Sequence, residues 1–272
     1  MTWEWDPTLY AGSARHYAQG RMPYPARLAD VLRDALGLDG TGRLLDVGCG
    51  PGSLTALLAP LHESSVGIDA DADMLAEAER SSGAPRVQWK HLRAEELPAD
   101  LGLFRTVTFA QSFHWMRQED VAATVRGMFD ERGTWVHVSA MTHRGVPGDD
   151  PLPHPRPPWD AVDSLVATYL GPVRRAGQGT LPGGTRGGEE DVMRAAGYRG
   201  PQRLAVPGGD VVTRSIGDVV ASVLSLSSAA PHLFGSRLGA FEQDLRALLL
   251  AASPGGLFSE RGHDIGVAVW RP

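Results

Sequence analysis

Leu44 to Gly52 reads LLDVGCGPG, and this run constrains the fold more than any other stretch of the chain. Leu44, Leu45 and Val47 are apolar, one acid interrupts them at Asp46, and glycines follow at 48, 50 and 52. Ser53-Leu-Thr-Ala-Leu-Leu-Ala then opens a helix. A buried strand that runs through a glycine loop into a helix starts a crossover unit of a parallel sheet. Glycines at the junction let the backbone turn sharply and let a ligand approach with no Cβ in the way.

The spacing narrows the ligand. A dinucleotide fingerprint, G-x-G-x-x-G, puts its third glycine where this chain has Ser53, and the extra glycine falls one place early, at Gly52. A P-loop ends in Gly-Lys-Ser/Thr, but Lys90 is the only lysine in the chain. An acid two residues before the first glycine repels phosphate and suits a cationic or amine-bearing ligand. A glycine turn with a structural Asp46 is the plainer alternative.

The strand–helix rhythm continues downstream. Strands are expected at 43–48, 65–69, 86–91, 106–111 and 133–140, with helices near 53–59, 71–79 and 118–129. After Ala140 the rhythm breaks into Pro- and Gly-rich stretches at 144–158 and 171–188, bracketing a short helix at 159–170. A helix at 189–196, a sixth strand within 200–212, helices at 216–226 and 238–252, and an apolar strand at 264–270 complete the chain.

Leu44–Gly52 resembles the first motif of the class I S-adenosylmethionine-dependent methyltransferases, [L/V]-L-D-[V/I]-G-x-G-x-G, residue by residue. Ala110-Gln-Ser-Phe-His-Trp-Met116 and Tyr17-Ala-Gln-Gly-Arg21-Met-Pro-Tyr24-Pro25 are similar to segments of a small-molecule branch, the trans-aconitate and ubiquinone-biosynthesis methyltransferase-like proteins. The resemblance implies an α/β, Rossmann-like, seven-stranded sheet with helices on both faces, the last strand antiparallel beside the fifth. It divides one domain into an N-terminal helical lid (1–40), a cofactor-binding core (41–140), a cap insertion containing the sixth strand (141–235), and a last helix and strand (236–272).

The cofactor implied is S-adenosylmethionine. Gly48, Cys49 and Gly50 pass under its methionyl part and Asp46 orders its ammonium end. Tyr17 and Arg21 reach its carboxylate, the latter as a charge pair. Asp69 ends the second strand, where a carboxylate accepts both hydroxyls of a ribose; its competing role is a helix N-cap. Ala70 and Met74 follow it in the same set. Arg93, Ala94 and Glu95 stand where the family has G-D-A-E, so the acid expected at the adenine amino group is an arginine here, leaving backbone to grip the ring. Phe104-Arg105 likewise replaces the family's F-D. Ala110 and Gln111 lie beside the cofactor, with His114 and Trp115 toward the transferred methyl and Trp159 as a wall of the substrate pocket.

His114 is the candidate general base, against a structural role as a strand-end hydrogen-bonder. His137 reads as core, and His143 and His16 are lesser candidates. Trp3 and Trp5 sit in an N-terminal stretch expected to fold over a substrate. No His, Cys, Asp or Glu cluster has metal-ligand spacing, so no metal is expected.

Composition bounds the partners. A net charge of −6 with scattered arginines carries no footprint for nucleic acid. No window reaches the length of a membrane span, and the acidic N-terminus is unlike a leader, so a cytoplasmic protein is expected. Cys49 is the only cysteine, which excludes an internal disulfide. The Arg-over-Lys bias with abundant Ala, Gly and Pro suggests a high-GC bacterial source. The expected partner is a small-molecule acceptor, with the chain a monomer or homodimer. The expected activity is methyl transfer to an O, N or C atom, set in specialised metabolism. The alternatives are a cyclase or regulatory binder that holds S-adenosylmethionine without transfer and, more remotely, a nicotinamide oxidoreductase.

Overall fold

Leu44, Leu45 and Val47 are fully buried in β1 (Arg43–Val47), a central strand of a seven-stranded sheet. The computed structural model describes residues 6–81, 83–84, 86–176, 179–181 and 188–272; the Trp3 and Trp5 expectation lies outside them. Helices α1 (Ala14–Gly20) and α2 (Ala26–Leu36) precede β1. Leu28, Leu32 and Leu36 recur every four residues and give α2 one apolar stripe. The helix stops at Gly37, whose left-handed backbone (φ 60°) turns its N–H onto the Arg33 carbonyl.

β2 (Ser64–Asp69), β3 (Val87–His91), β4 (Phe104–Ala110) and β5 (Phe129–Ser139) join β1 in parallel, alternating with α3 (Ser53–Leu58), α4 (Ala72–Ser81) and α5 (Gln118–Arg126). α6 (Trp159–Leu170), strands β6 (Arg174–Ala176) and β7 (Gly179–Leu181), and α7 (Glu189–Ala195) follow. Then come β8 (Arg199–Val206), β9 (Val211–Ser215), α8 (Ile216–Leu224), α9 (Pro231–Phe234), α10 (Leu238–Ala252), β10 (Leu257–Arg261) and β11 (Ile265–Arg271). β11 inserts antiparallel between β5 and β8, so the sheet runs β3-β2-β1-β4-β5-β11-β8.

The expected single strand within 200–212 is two. Pro207-Gly-Gly209 breaks it; a Cβ on Gly208 would sit 2.3 Å from the Gly262 carbonyl oxygen. β8 stays on the main sheet, while β9 leaves it and pairs antiparallel with β10, a strand the sequence did not announce.

Helices cover both faces. Phe104, Phe109, Trp135 and Trp270 pack under α5 and α7; Leu28 and Leu32 of α2 and Leu54 and Leu58 of α3 pack on Val136 and Val267. α6, α8, α10 and β10 share a third core built on Val162, Val219, Phe241 and Phe258. Each of these fully buried side chains contributes about 1.5–3 kcal/mol of transfer free energy.

Arg105, which breaks the family pattern, is a structural staple. It is buried to 3% exposure and donates to Asp39 Oδ1 (2.8 Å), Thr41 Oγ1 (3.0 Å) and the Gly37 carbonyl. It fastens the start of β4 to the turn that delivers the chain into β1.

Candidate cofactor site

Ligands of open α/β sheets bind beyond the carboxyl ends of the strands, and there the ends of β1, β2, β3 and β4 surround one cleft. The glycine loop forms its floor. Gly48, Gly50 and Gly52 all have left-handed backbone, with φ of 68°, 55° and 78°. The Gly48 and Cys49 amides both donate to the Ile68 carbonyl, at 2.9 and 3.0 Å, which wraps the loop over the end of β2.

The three glycines serve different ends. A Cβ on Gly48 would lie 2.5 Å from Ser112 Cβ, and one on Gly52 2.4 Å from Trp89 Cη2. Those two make room for the protein's own side chains. Gly50 alone of the three has nothing within 4 Å of such a Cβ, so its bare backbone faces the cleft. Beside it, Asp69 Oδ2 accepts the Gly50 amide at 2.7 Å and Oδ1 accepts the Asp71 amide at 2.9 Å. Burial pushes the Asp69 carboxyl up to about 6.

The residues the sequence assigned to a cofactor separate into two groups. Tyr17, Gly48, Gly50, Asp69, Ala70 and Met74 line the cleft, as do Arg93, Ala94, Glu95, Ala110 and Gln111. Asp46, Cys49 and Arg21 do not. Asp46 is 1% exposed, and its two oxygens accept Thr55 Oγ1 (2.6 Å) and Thr108 Oγ1 (2.7 Å), so strand alternation turns it toward α3 and β4. Cys49 is buried, its thiol pushed up by that burial, and its Sγ lies over Gly67 on the far side of the loop. Arg21 donates to the Ser225 hydroxyl (2.8 Å) and carbonyl (3.2 Å) and stacks 4.4 Å from the Tyr17 ring centre.

On the methyl side, Trp115 lines the cleft and His114 does not. Both belong to a 3₁₀ turn, Phe113–Trp115. With three residues per turn, neighbours point about 120° apart: Phe113 goes to the core, Trp115 to the cleft, and His114 to neither. Burial pulls His114 down to about 4. His137 packs among Phe109, Phe113 and Trp135, and burial pulls it to about 3. His143, also held down to about 3 by burial, is hydrogen-bonded by the Arg144 guanidinium. Half-buried His16 neighbours Arg15 and is lowered mainly by burial. Trp159 is not a cleft wall either. Its indole N–H donates to Glu260 Oε1 (2.7 Å) and Arg144 stacks on its ring at 4.9 Å.

Sequence reasoning missed Tyr10, Leu92, Ser112 and Met116, which also line the cleft. Tyr10 meets Tyr17 and Trp115 edge-on, at centroid distances of 6.4 and 5.9 Å, and the three rings form an aromatic wall of the cleft. Ser112 Oγ donates to the Val47 carbonyl at 2.6 Å and clamps the ends of β4 and β1 together. Gln111 beside it holds left-handed backbone (φ 56°), a strained state for a residue with a Cβ. Among the described residues no group of three or more His, Cys, Asp or Glu stands together to hold a metal, and no single helix is long and apolar enough to cross a membrane.

A glycine floor open at Gly50, a carboxylate at the end of β2 and an apolar rim define a nucleotide-cofactor site of the Rossmann-like class. Residues 44–130 match the methyltransferase domain family. The chain is 35% identical over 81 residues to a trans-aconitate 2-methyltransferase of Streptomyces avermitilis, covering 29% of this chain and 28% of that protein. It is 27% identical over 232 residues to a malonyl-[acyl-carrier protein] O-methyltransferase of Enterobacter lignolyticus, covering 84% of each. A solved structure of a candidate type II methyltransferase from Anaeromyxobacter dehalogenans shares the fold, with TM-score 0.51, 19% identity, and coverage of 92% of this chain and 95% of that one. Across the first curated relatives the shared segment spans between 28% and 58% of their length. Residues 44–130 therefore carry a methyltransferase domain similar to those of the class I S-adenosylmethionine-dependent methyltransferases, and the cofactor of that family is S-adenosylmethionine.

Proposed function

We propose that the chain methylates a small molecule bound beside the cleft, under the segment 141–235. The observation that carries this reading is the convergence on one cleft of Gly50, Asp69, Ala94 and Gln111, drawn from the ends of four successive strands. Those residues fit the cofactor: Gly50 leaves open space where a Cβ would stand, and Asp69 presents a carboxylate to a diol. Gly48 and Gly50 would hold its methionyl part, Asp69 its ribose, and the Arg93–Glu95 backbone its adenine. Bound there, S-adenosylmethionine supplies an electrophilic methyl group on a sulfonium.

This chain's own residues do the rest by placement. Tyr10, Tyr17 and Trp115 wall the cleft. Holding an acceptor in line with the methyl contributes about 7–11 kcal/mol to lowering the barrier. With His114 turned away, the arrangement suits an acceptor that is already nucleophilic, one needing no proton removed by that side chain. Within the segment 141–235, Val162 of α6 and Val219 of α8 pack against Phe241 of α10. The two named methyltransferase relatives act, by their names, on trans-aconitate and on a malonyl-[acyl-carrier protein], both of which offer a carboxylate, and this supports an acceptor that is already nucleophilic. The arginine-biased composition favours bacterial specialised metabolism as the setting.

Incubation with methyl-labelled S-adenosylmethionine and a panel of small acids, alcohols, amines and phenols tests the reading. Label is expected in a product. Stabilisation by S-adenosylhomocysteine with no label transferred to any acceptor class would favour a binder instead.

A further inference from the structure

Arg214 on β9 and Glu260 on β10 are 3% and 2% exposed, and Arg214 Nη1 donates to Glu260 Oε2 at 2.7 Å. Two charges taken this far from water need every remaining donor and acceptor satisfied, and such a pair is weak support for stability by itself. Its use is seen in where the other bonds go. Arg214 Nη2 donates to the carbonyl of Gly20, the last residue of α1, at 2.6 Å, and to the Asp218 carbonyl at 3.0 Å. Arg214 Nη1 also donates to the His143 carbonyl at 3.0 Å. Glu260 Oε1 accepts the Gly145 amide and the Trp159 indole N–H, each at 2.7 Å.

The pair thus ties four separated segments to one point: the end of α1, the turn after β5, the start of α6 and the first turn of α8. α1 matters most for the cleft. Tyr17 stands one turn before Gly20 and lines the cofactor cleft. At Gly20 the helix backbone presses on α8 so closely that a Cβ would lie 2.2 Å from the Ser222 nitrogen. The helix is held at its other end by the Ser13 hydroxyl on the Leu224 carbonyl, at 2.9 Å. At its carboxyl end the bond from Arg214 to the Gly20 carbonyl is joined by Gln19 on Asp218 Oδ1 (3.0 Å), the Arg21 guanidinium on the Ser225 hydroxyl (2.8 Å) and the Met22 amide on the Thr142 carbonyl (2.7 Å); of these, the Arg214 bond alone comes from a buried ion pair.

We infer that Arg214 and Glu260 are positioning residues for the cofactor cleft: the buried pair sets α1, and with it Tyr17, by holding the Gly20 carbonyl to the same point that anchors the 143–145 turn and Trp159. Neither residue lines the cleft, and the pair reaches it through α1. The inference rests on the cofactor reading above for its binding consequence, though not for its structural one.

Two variants test it. Arg214→Met with Glu260→Leu removes both charges at similar volume, a replacement that folds are known to accept. Arg214→Lys keeps the charge beside Glu260 but lacks the fork that reaches several acceptors at once. Each is measured for unfolding midpoint, for amide exchange over residues 14–20 against β1 and β4, and for S-adenosylhomocysteine affinity by calorimetry. The double variant is expected to melt cooperatively but at a lower midpoint, because the Gly20, Asp218 and His143 carbonyls and the Gly145 and Trp159 N–H groups lose their partners. It should lose about tenfold or more in affinity and lose exchange protection in α1 but not in the sheet. Should the double variant not fold, the same two readouts on Arg214→Lys decide. Affinity within about twofold of the unmodified protein together with undisturbed α1 protection overturns the inference. Failure of the unmodified protein to bind S-adenosylhomocysteine overturns the cofactor reading, while α1 exchange still decides whether the pair positions the helix.

Discussion

Asp69 accepts the Gly50 amide at 2.7 Å, so the acid ending β2 shapes the one residue of the glycine loop that leaves the cleft open. Cofactor floor and ribose carboxylate are a single hydrogen-bonded unit, and its charge state governs both.

The pH dependence has a definite sign. Burial raises Asp69 from 3.8 to about 6, so the fold favours the protonated form. The contribution of this group to the stability of the ligand-free protein is complete below pH 3.8 and is lost as pH rises through about 6. A ribose diol needs the carboxylate, so S-adenosylhomocysteine affinity is expected to rise over the interval in which that contribution disappears. Asp69→Asn should flatten both profiles. Calorimetric titrations and melts at a series of pH values check this, and parallel profiles for the two proteins would count against the assignment of Asp69.

Gly50→Ala is expected to keep the fold and lose the ligand. The new Cβ meets no protein atom, and left-handed backbone costs an alanine about 1–2 kcal/mol. The same change at Gly52 drives a Cβ to 2.4 Å from Trp89, so stability falls further there. Chemical denaturation paired with binding separates the two: Gly50→Ala folded but failing to bind, Gly52→Ala failing first in stability. Full binding by Gly50→Ala would remove the loop from the site.

His114→Ala should leave S-adenosylhomocysteine affinity within about twofold, because the ring lies off the cleft and is neutral above about pH 5. Trp115→Ala, its neighbour in the same turn, should weaken binding by about tenfold through loss of an aromatic wall. Equal losses in the two variants would return His114 to the site.

Arg105→Met is expected to lower stability by about 1–3 kcal/mol, the worth of hydrogen bonds to a charged group, with cofactor affinity unchanged. Its partners Gly37, Asp39 and Thr41 precede β1, at the end of the sheet away from the cleft. Urea titration gives the first quantity and calorimetry the second.

What was legible in the sequence follows physical range. β1 to β5 and β11 announce themselves because apolar runs and glycine turns are local signals, and all lie within a residue or a few of their expected bounds. β10 reads Leu-Phe-Ser-Glu-Arg, with no alternation that marks a strand, and exists because distant β9 pairs with it. Asp46 is visible as an acid, but the hydroxyls that occupy it come from Thr55 and Thr108, set by helix and sheet packing. Tyr10 reaches the cleft from a turn with no motif around it. Trp159 looks like a pocket wall until Glu260, far along the chain, takes its N–H.

The position of β11 also sets an order of assembly. β8 joins the sheet only through β11, because its other edge is the end of the strand order. On a chain emerging from the ribosome, β1 to β4 are all present while β5 still exposes the edge that β11 will occupy and β8 has no neighbour in the sheet. Residues 265–271 close that gap in one step, the most non-local pairing in the sheet and therefore the slow one. Until they arrive, the nascent domain carries two open strand edges at once, which is where aggregation during synthesis would begin.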